Sequence, residues 1–159
     1  MVFTGTYQRS LDEKLRVLLP KQLRQALPED RLVYLTPGAD GCLELHTPGS
    51  LEVMAQSIPP SSPSSQNQRA FARLFYARAC QCELDRQDRI RIPQPLAEQA
   101  GLTREVVLVG VGHHWELWQL ERWERYLEQN ATALDPLWQS PAAATSPEEL
   151  DDASTPRPR

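Results

Sequence analysis

Residues 11–20, LDEKLRVLLP, return 73 positions later as residues 84–93, LDRQDRIRIP. The offset aligns Leu11 with Leu84, Asp12 with Asp85, Arg16 with Arg89, Pro20 with Pro93 and Leu23 with Leu96. Each copy is a short aliphatic run stopped by proline, which lacks a backbone donor and suits the first turn of a helix. A strand therefore hands over to a short helix in both copies, at residues 20–27 and 93–100, with Gly101 placed to cap the second. Downstream, RLVYL and EVVLV read as buried strands, PGADG and GVGHH as hairpin turns, and CLELH and HWELW as returning strands. The repeated unit is strand, turn, strand, helix, hairpin. A further helix follows each unit: SLEVMAQSI after Pro48, and ERWERYLEQNATAL with Trp123, Tyr126, Leu127 and Leu134 near one face.

Between the copies, PPSSPSSQNQ (residues 59–68) has nothing to bury and reads as a linker, after which RAFARLFYARA resumes as a helix. From residue 135 onward proline, small and acidic residues dominate, the composition of a disordered tail. The expected organisation is a first repeat at 1–58, a linker at 59–68, a second repeat with a C-terminal helix at 69–134, and a tail at 135–159. With 159 residues, 40% of them hydrophobic, there is enough apolar material for a packed core.

No apolar run approaches the roughly 20 residues of a membrane span, and MVFTGTYQRS lacks the pattern of a signal peptide. The expected compartment is the cytoplasm, with no membrane partner. Cys42, Cys80 and Cys82 form no disulfide framework and are read as small buried or half-buried residues. The net charge of −4 speaks superficially against nucleic acid, but the sum hides the distribution. Residues 1–27 carry five cations against two acids, and residues 68–93 carry six against three, so each copy of the repeat is locally +3. The tail is net acidic and masks one of them.

Common to both copies is Asp-x-x-x-Arg, Asp12 to Arg16 and Asp85 to Arg89, at the turn between two strands. An aspartate there accepts backbone N–H bonds two or three residues on and pairs with the returning arginine, so a turn staple with an ion pair accounts for the motif by itself. The surrounding cations, Arg9, Lys14, Lys21 and Arg24 in one copy and Arg86 and Arg91 in the other, have no obvious partner. Two basic loops of this kind suit a duplex, with cations on phosphates and an arginine or two available for guanine edges.

Other chemistries find little support. Cys80 and Cys82 with His113 and His114 lack any standard zinc spacing, and His46 stands alone as a surface or hairpin residue, so no metal is expected. No phosphate-binding glycine loop, nucleophile elbow or catalytic carboxylate pair is present, which leaves no residues for an enzyme, a cofactor or a small-molecule ligand. Trp115, Trp118 and Trp123 are read as core or interface residues, and Trp138 falls in the tail.

The stretches FTGTYQRSLDEKLRVLLPKQLRQAL and CELDRQDRIRIPQPLAEQAGLTREVVLVGVGHHWELWQLERWERYLE resemble the two halves of the MraZ family, bacterial transcriptional regulators built from tandem AbrB/SpoVT-type domains. The resemblance covers roughly residues 1 to 134, with the Asp-x-x-x-Arg pairs, the prolines, CELD, EVVLVGVG and ERWE all in family order. It implies a mainly β fold with short helices, made of two swapped-hairpin (double-split) β-barrel halves related by an internal pseudo-twofold axis. It further implies a ring-like homo-oligomer in the nucleoid that binds double-stranded DNA repeats upstream of the division and cell-wall gene cluster, usually as a repressor. The DNA-binding loops carry over onto Asp12, Lys14 and Arg16, and onto Asp85, Arg86 and Arg89; the supporting phosphate contacts, Arg9, Lys21, Arg24 and Arg91, are expected from the local charge alone. AbrB-like folds also serve as oligomeric protein-interaction modules, for example in antitoxins, and this is the competing expectation.

The sequence departs from the family at two positions, where glycine commonly precedes the motif arginine and this chain has Leu15 and Asp88. Leucine disfavours a left-handed backbone; aspartate tolerates it better but adds repulsion toward DNA. Lys14 matches Gln87 across the offset, so the two loops are expected to contribute unequally.

Overall fold

A computed structural model describes residues 1–58 and 65–135. The described residues contain eight strands and five short α-helices. The strands are β1 (Thr6–Ser10), β2 (Arg16–Leu18), β3 (Leu32–Pro37), β4 (Leu43–His46), β5 (Cys80–Glu83), β6 (Arg89–Arg91), β7 (Glu105–Gly110) and β8 (Trp115–Gln119). The helices are α1 (Lys21–Ala26), α2 (Pro48–Ser57), α3 (Gln66–Arg78), α4 (Gln94–Gln99) and α5 (Leu120–Gln129). β2 and β6, α1 and α4, and β3 and β7 each start 73 residues apart, the spacing of the sequence repeat.

Six strands form one antiparallel sheet in the order β1-β7-β8-β4-β3-β5, and β2 pairs with β6 in a separate two-stranded ribbon. The pairing crosses between the repeats. β1 lies against β7 of the second repeat, and β5 lies against β3 of the first. The hairpins β3–β4 and β7–β8 meet where β4 pairs with β8.

Burial explains the crossing. Leu43 and Leu45 of β4 and Trp115 and Leu117 of β8 are fully buried on one side, with Glu44, His46 and Glu116 between them, the alternation of a sheet covered by one common core. Val17 and Ile90, cross-strand partners in the ribbon, close that core together with Leu19, Leu23, Ile92 and Leu96. Trp115 is its largest buried side chain, its ring tilted against Phe3 at 5.7 Å and Tyr7 at 5.6 Å.

Local chemistry sets the element ends. Pro20 and Pro93 occupy the N-cap positions with φ of −60° and −59°, one residue before helical geometry begins. Gly101 adopts φ 59° after α4, where its N–H reaches Glu98 O at 3.0 Å and that of Leu102 reaches Ala97 O at 2.9 Å, closing the helix as expected. Thr47 caps α2 by accepting the Ser50 N–H at 3.2 Å. α3 starts at Gln66, capped by Ser65, three residues before the arginine at which the sequence suggested it. Residues 1–124 form one compact unit. The described residues from Arg125 to Asp135 belong to another, in which Asn130 Nδ2 donates to the Tyr126 carbonyl at 2.9 Å and Leu127 and Leu134 are exposed. Most of the expected linker, Trp138 and the rest of the expected tail lie outside the described residues. Among the described residues no helix is long and apolar enough to cross a membrane, and the three cysteines are free thiols.

Candidate nucleic-acid interface

The two Asp-x-x-x-Arg turns have the same wiring. Asp12 Oδ1 accepts the N–H groups of Lys14 (2.9 Å) and Arg16 (2.8 Å), while Oδ2 accepts Arg16 Nε at 2.6 Å. Asp85 Oδ1 accepts those of Gln87 (2.8 Å) and Arg89 (3.0 Å), while Oδ2 accepts Arg89 Nε at 3.0 Å. These N–H donors, with the guanidinium, hold both carboxyls below the ordinary carboxylate value, the backbone bond from the motif arginine being the largest cause in each case. Charge and turn geometry therefore reinforce each other, and the staple expected from sequence is present in both loops, spanning two and four residues where two or three were expected.

Pairing of β2 with β6 brings the loops side by side, with Arg16 opposite Arg91 and Leu18 opposite Arg89. Arg89 reaches across the seam, its Nη1 3.6 Å from Asp12 Oδ2 while Nε and Nη2 stay on Asp85. The carbonyl of Leu15 accepts the Ile92 N–H at 2.7 Å, and the carbonyl of Asp88 accepts the Leu19 N–H at 3.1 Å. Both acceptors are left-handed, with φ 59° at Leu15 and 63° at Asp88. The conformation that leucine disfavours is thus adopted, because the reciprocal bonds between the repeats demand it and Leu15 packs its side chain against the core.

The surrounding cations divide into two groups. Lys14 and Arg86 at the loop tips, Lys21 at the start of α1, and Arg91 on β6 are exposed and make no ion pair among the described residues. Two cations correct the expectation that none had a partner. Arg24 binds Asp88 Oδ2 at 2.5 Å, and the Arg9 guanidinium lies over the Tyr7 ring, 5.5 Å from its centroid.

Two arginines escaped sequence reading. Arg31 pairs with Asp88 Oδ1, and Arg104, exposed beside the first loop, gives its carbonyl to the Leu11 N–H at 2.7 Å. They are related by the same offset of 73, a signal available in the sequence but hidden because neither belongs to the repeated decapeptide. Asp88 is held below the ordinary carboxylate value chiefly by Arg31 and then by Arg24. The expected repulsion at position 88 is therefore offset by two neighbouring cations. The first loop, with leucine at the corresponding place, leaves Arg104 without an ion pair among the described residues.

Of the two expectations for His46 the hairpin one holds, since it pairs with Tyr34 between β3 and β4, and the surface one does not: it is 2% exposed, with Nε2 3.0 Å from Glu44 Oε2. His114 associates with Glu44 and Glu116, and that cluster contains neither Cys80 nor Cys82.

The family model described as "MraZ protein, putative antitoxin-like" matches residues 2–74 and again 75–136. A protein of Carboxydothermus hydrogenoformans named transcriptional regulator MraZ is 40% identical over 79% of this chain and 86% of its own length. Proteins of the same name from Clostridium botulinum and Mycoplasmoides gallisepticum are each 36% identical, over 81% and 87% of this chain and 89% and 96% of their own lengths. Two consecutive family matches, over the two segments that carry the stapled loops, are what the repeat at residues 11–20 and 84–93 requires, and the chain belongs to the MraZ family.

Proposed function

We propose that this protein is a transcription regulator, not an enzyme, which binds double-stranded DNA sequence-specifically through its paired Asp-x-x-x-Arg loops. The observation that carries the reading is the junction of the loops: β2–β6 pairing sets two staples side by side and leaves Lys14, Arg86 and Arg91 exposed. In this arrangement Asp12 and Asp85 hold the turns rigid, Arg16 and Arg89 present the remaining guanidinium edges, and Lys14, Lys21, Arg86, Arg91 and Arg104 contact phosphates. Preorganised arginines lose little entropy on binding, which favours base reading over loose charge attraction.

The crossed pairing of β1 with β7 and β5 with β3 supports a swapped-hairpin arrangement with internal pseudo-twofold symmetry. On this reading the chain assembles as a ring-like homo-oligomer at the nucleoid and represses the division and cell-wall cluster from repeats upstream of its own gene. A ring multiplies weak single-loop contacts into one operator complex.

A second reading, an AbrB-like protein-interaction module, is favoured by one feature: Asp88 engages Arg24 and Arg31, which lowers the positive field of the second loop. Binding of the purified protein to its upstream duplex and to scrambled DNA at two salt concentrations separates the two. A preference for the upstream duplex that is steeply salt-dependent and absent from Arg16→Ala/Arg89→Ala supports the regulator. Weak binding without preference, equal in wild type and variant, sinks it.

A further inference from the structure

The seam between β4 and β8 carries a second polar constellation, well apart in sequence from the stapled loops. Glu44 and Glu116 are direct cross-strand partners, and one step further along the same face His46 and His114 stack with ring centroids 5.0 Å apart. Two carboxylates placed opposite each other on a sheet repel. Burial, with the negative charges of Glu44 and Asp40, pushes the Glu116 carboxyl above its ordinary value. The described ion pairs supply no Lys or Arg to either carboxylate.

The hydrogen bonds divide the donor atoms into two sets. Glu44 Oε2 lies 3.0 Å from His46 Nε2, and Ser50 Oγ stands 3.4 Å from the other nitrogen of that ring. Glu116 Oε2 accepts the Trp118 indole N–H at 2.8 Å. Each carboxylate is thus oriented through one oxygen by a donor behind it. The two remaining oxygens face one atom: His114 Nε2 is 3.8 Å from Glu44 Oε1 and 4.0 Å from Glu116 Oε1. That nitrogen is buried and makes no hydrogen bond. Burial holds His114 below its ordinary pKa, which favours the neutral ring with its lone pair.

We propose that Glu44, His114 and Glu116 bind one divalent transition-metal ion, with His46 and Trp118 orienting the two carboxylates. One ligand atom from each lies within 4.8 Å of the others. Bonds of about 2.0–2.2 Å put tetrahedral donors roughly 3.3–3.6 Å apart, so closing on the ion needs side-chain shifts of about 1 Å. One imidazole with two carboxylates and a water in the fourth position suits zinc, and the ordering of divalent affinities favours zinc over manganese in such a donor set. The side chains of Glu116 and His114 remain 22% and 26% exposed, which leaves an entry path. Glu44 belongs to the first repeat, His114 and Glu116 to the second, so the ion fastens the two repeats where their hairpins meet.

The test uses tag-free, chelator-dialysed full chain titrated with Co²⁺, read by its visible absorption, and with Zn²⁺, read by calorimetry and melting temperature. One ion per chain, a four-coordinate Co²⁺ spectrum, and a melting point several degrees higher at about 100 times Kd are expected. His114→Ala weakens binding by about 100-fold or more, and His46→Phe by about 10- to 100-fold. Glu44→Gln/Glu116→Gln gives opposite signs in one protein: the metal-free form melts higher than wild type, because the repulsion is gone, and zinc no longer raises it. Cys80→Ser/Cys82→Ser/His113→Ala binds as wild type does. Absence of binding in wild type overturns the proposal. So does binding that survives the Gln double variant, or that follows the cysteines and His113 instead.

Discussion

The carbonyl of Leu15 accepts the backbone N–H of Ile92 at 2.7 Å, joining the first loop to the strand that leaves the second. The reciprocal bond, from Leu19 to Asp88, completes a pair that locks both loops in the left-handed geometry. Each loop is therefore shaped by the other repeat as well as by its own aspartate, and this coupling underlies the first two expectations.

Asp88→Asn keeps a residue that tolerates positive φ but removes the charge that holds Arg24 and Arg31. Both arginines become available to phosphate. Binding to any duplex should strengthen at low salt, and the slope of log K against log salt should steepen by about 1 to 2. An unchanged slope would show that neither arginine lies near the DNA.

Arg16→Ala should weaken operator binding more than Arg89→Ala. Arg16 is paired by Asp12 alone, whereas Arg89 is paired by Asp85 and lies 3.6 Å from Asp12. The first loop also has Lys14 where the second has Gln87, and its neighbour Arg104 makes no described ion pair. A loss of about 10-fold or more is expected for Arg16→Ala. Equal losses in the two variants, by fluorescence anisotropy at fixed salt, would contradict this.

Acid should loosen the loops before the core. The carboxyls of Asp12, Asp85 and Asp88 are held below their ordinary value of 3.8, so their folded pKa lies under the unfolded one. Their stabilising effect is complete above the unfolded value and is lost as pH falls through the folded values. Melting temperature should drop steeply below about pH 4 in wild type and less steeply in Asp12→Asn/Asp85→Asn. Parallel pH profiles would remove the staples from the stability of the fold.

Ile90→Ala tests the ribbon. Ile90 is fully buried opposite Val17, and truncation leaves a cavity at the point where both repeats contribute to the core. A cost of about 2–5 kcal/mol is expected in urea unfolding, with loss of DNA binding following loss of loop geometry. A cost near zero would mean that the ribbon can collapse independently of the sheet.

Gly110→Ala tests how the N-terminal segment docks. A Cβ at Gly110 would stand 2.6 Å from Thr4 N and 2.7 Å from the Phe3 carbonyl carbon, both backbone atoms that cannot yield by a rotamer change. Phe3 and Gly112 exchange hydrogen bonds of 2.7 and 3.0 Å, so this contact anchors the segment that covers Trp115. Destabilisation of about 1–3 kcal/mol is expected, with faster hydrogen exchange at Phe3 and Gly112. Unaltered exchange at these two amides would argue against the close approach.

The chain sequence by itself determined the repeat, the order of elements within it and the aspartate staples, because these rest on interactions over a few residues: proline before a helix, alternation along a strand, a carboxylate reaching backbone N–H groups within its own turn. The glycine at 101 and the short helices after Pro20 and Pro93 were legible for the same reason. Only the tertiary structure decided which strands pair across the repeats, that Leu15 accepts left-handed strain, that Asp88 meets Arg24 and Arg31, and that His46 is buried against Glu44. These partners lie up to about a hundred positions apart, and no local preference encodes which cation reaches which acid. That choice follows from burying the aliphatic faces of both repeats in one core, which fixes the backbones first and leaves the charged side chains to pair where those backbones bring them.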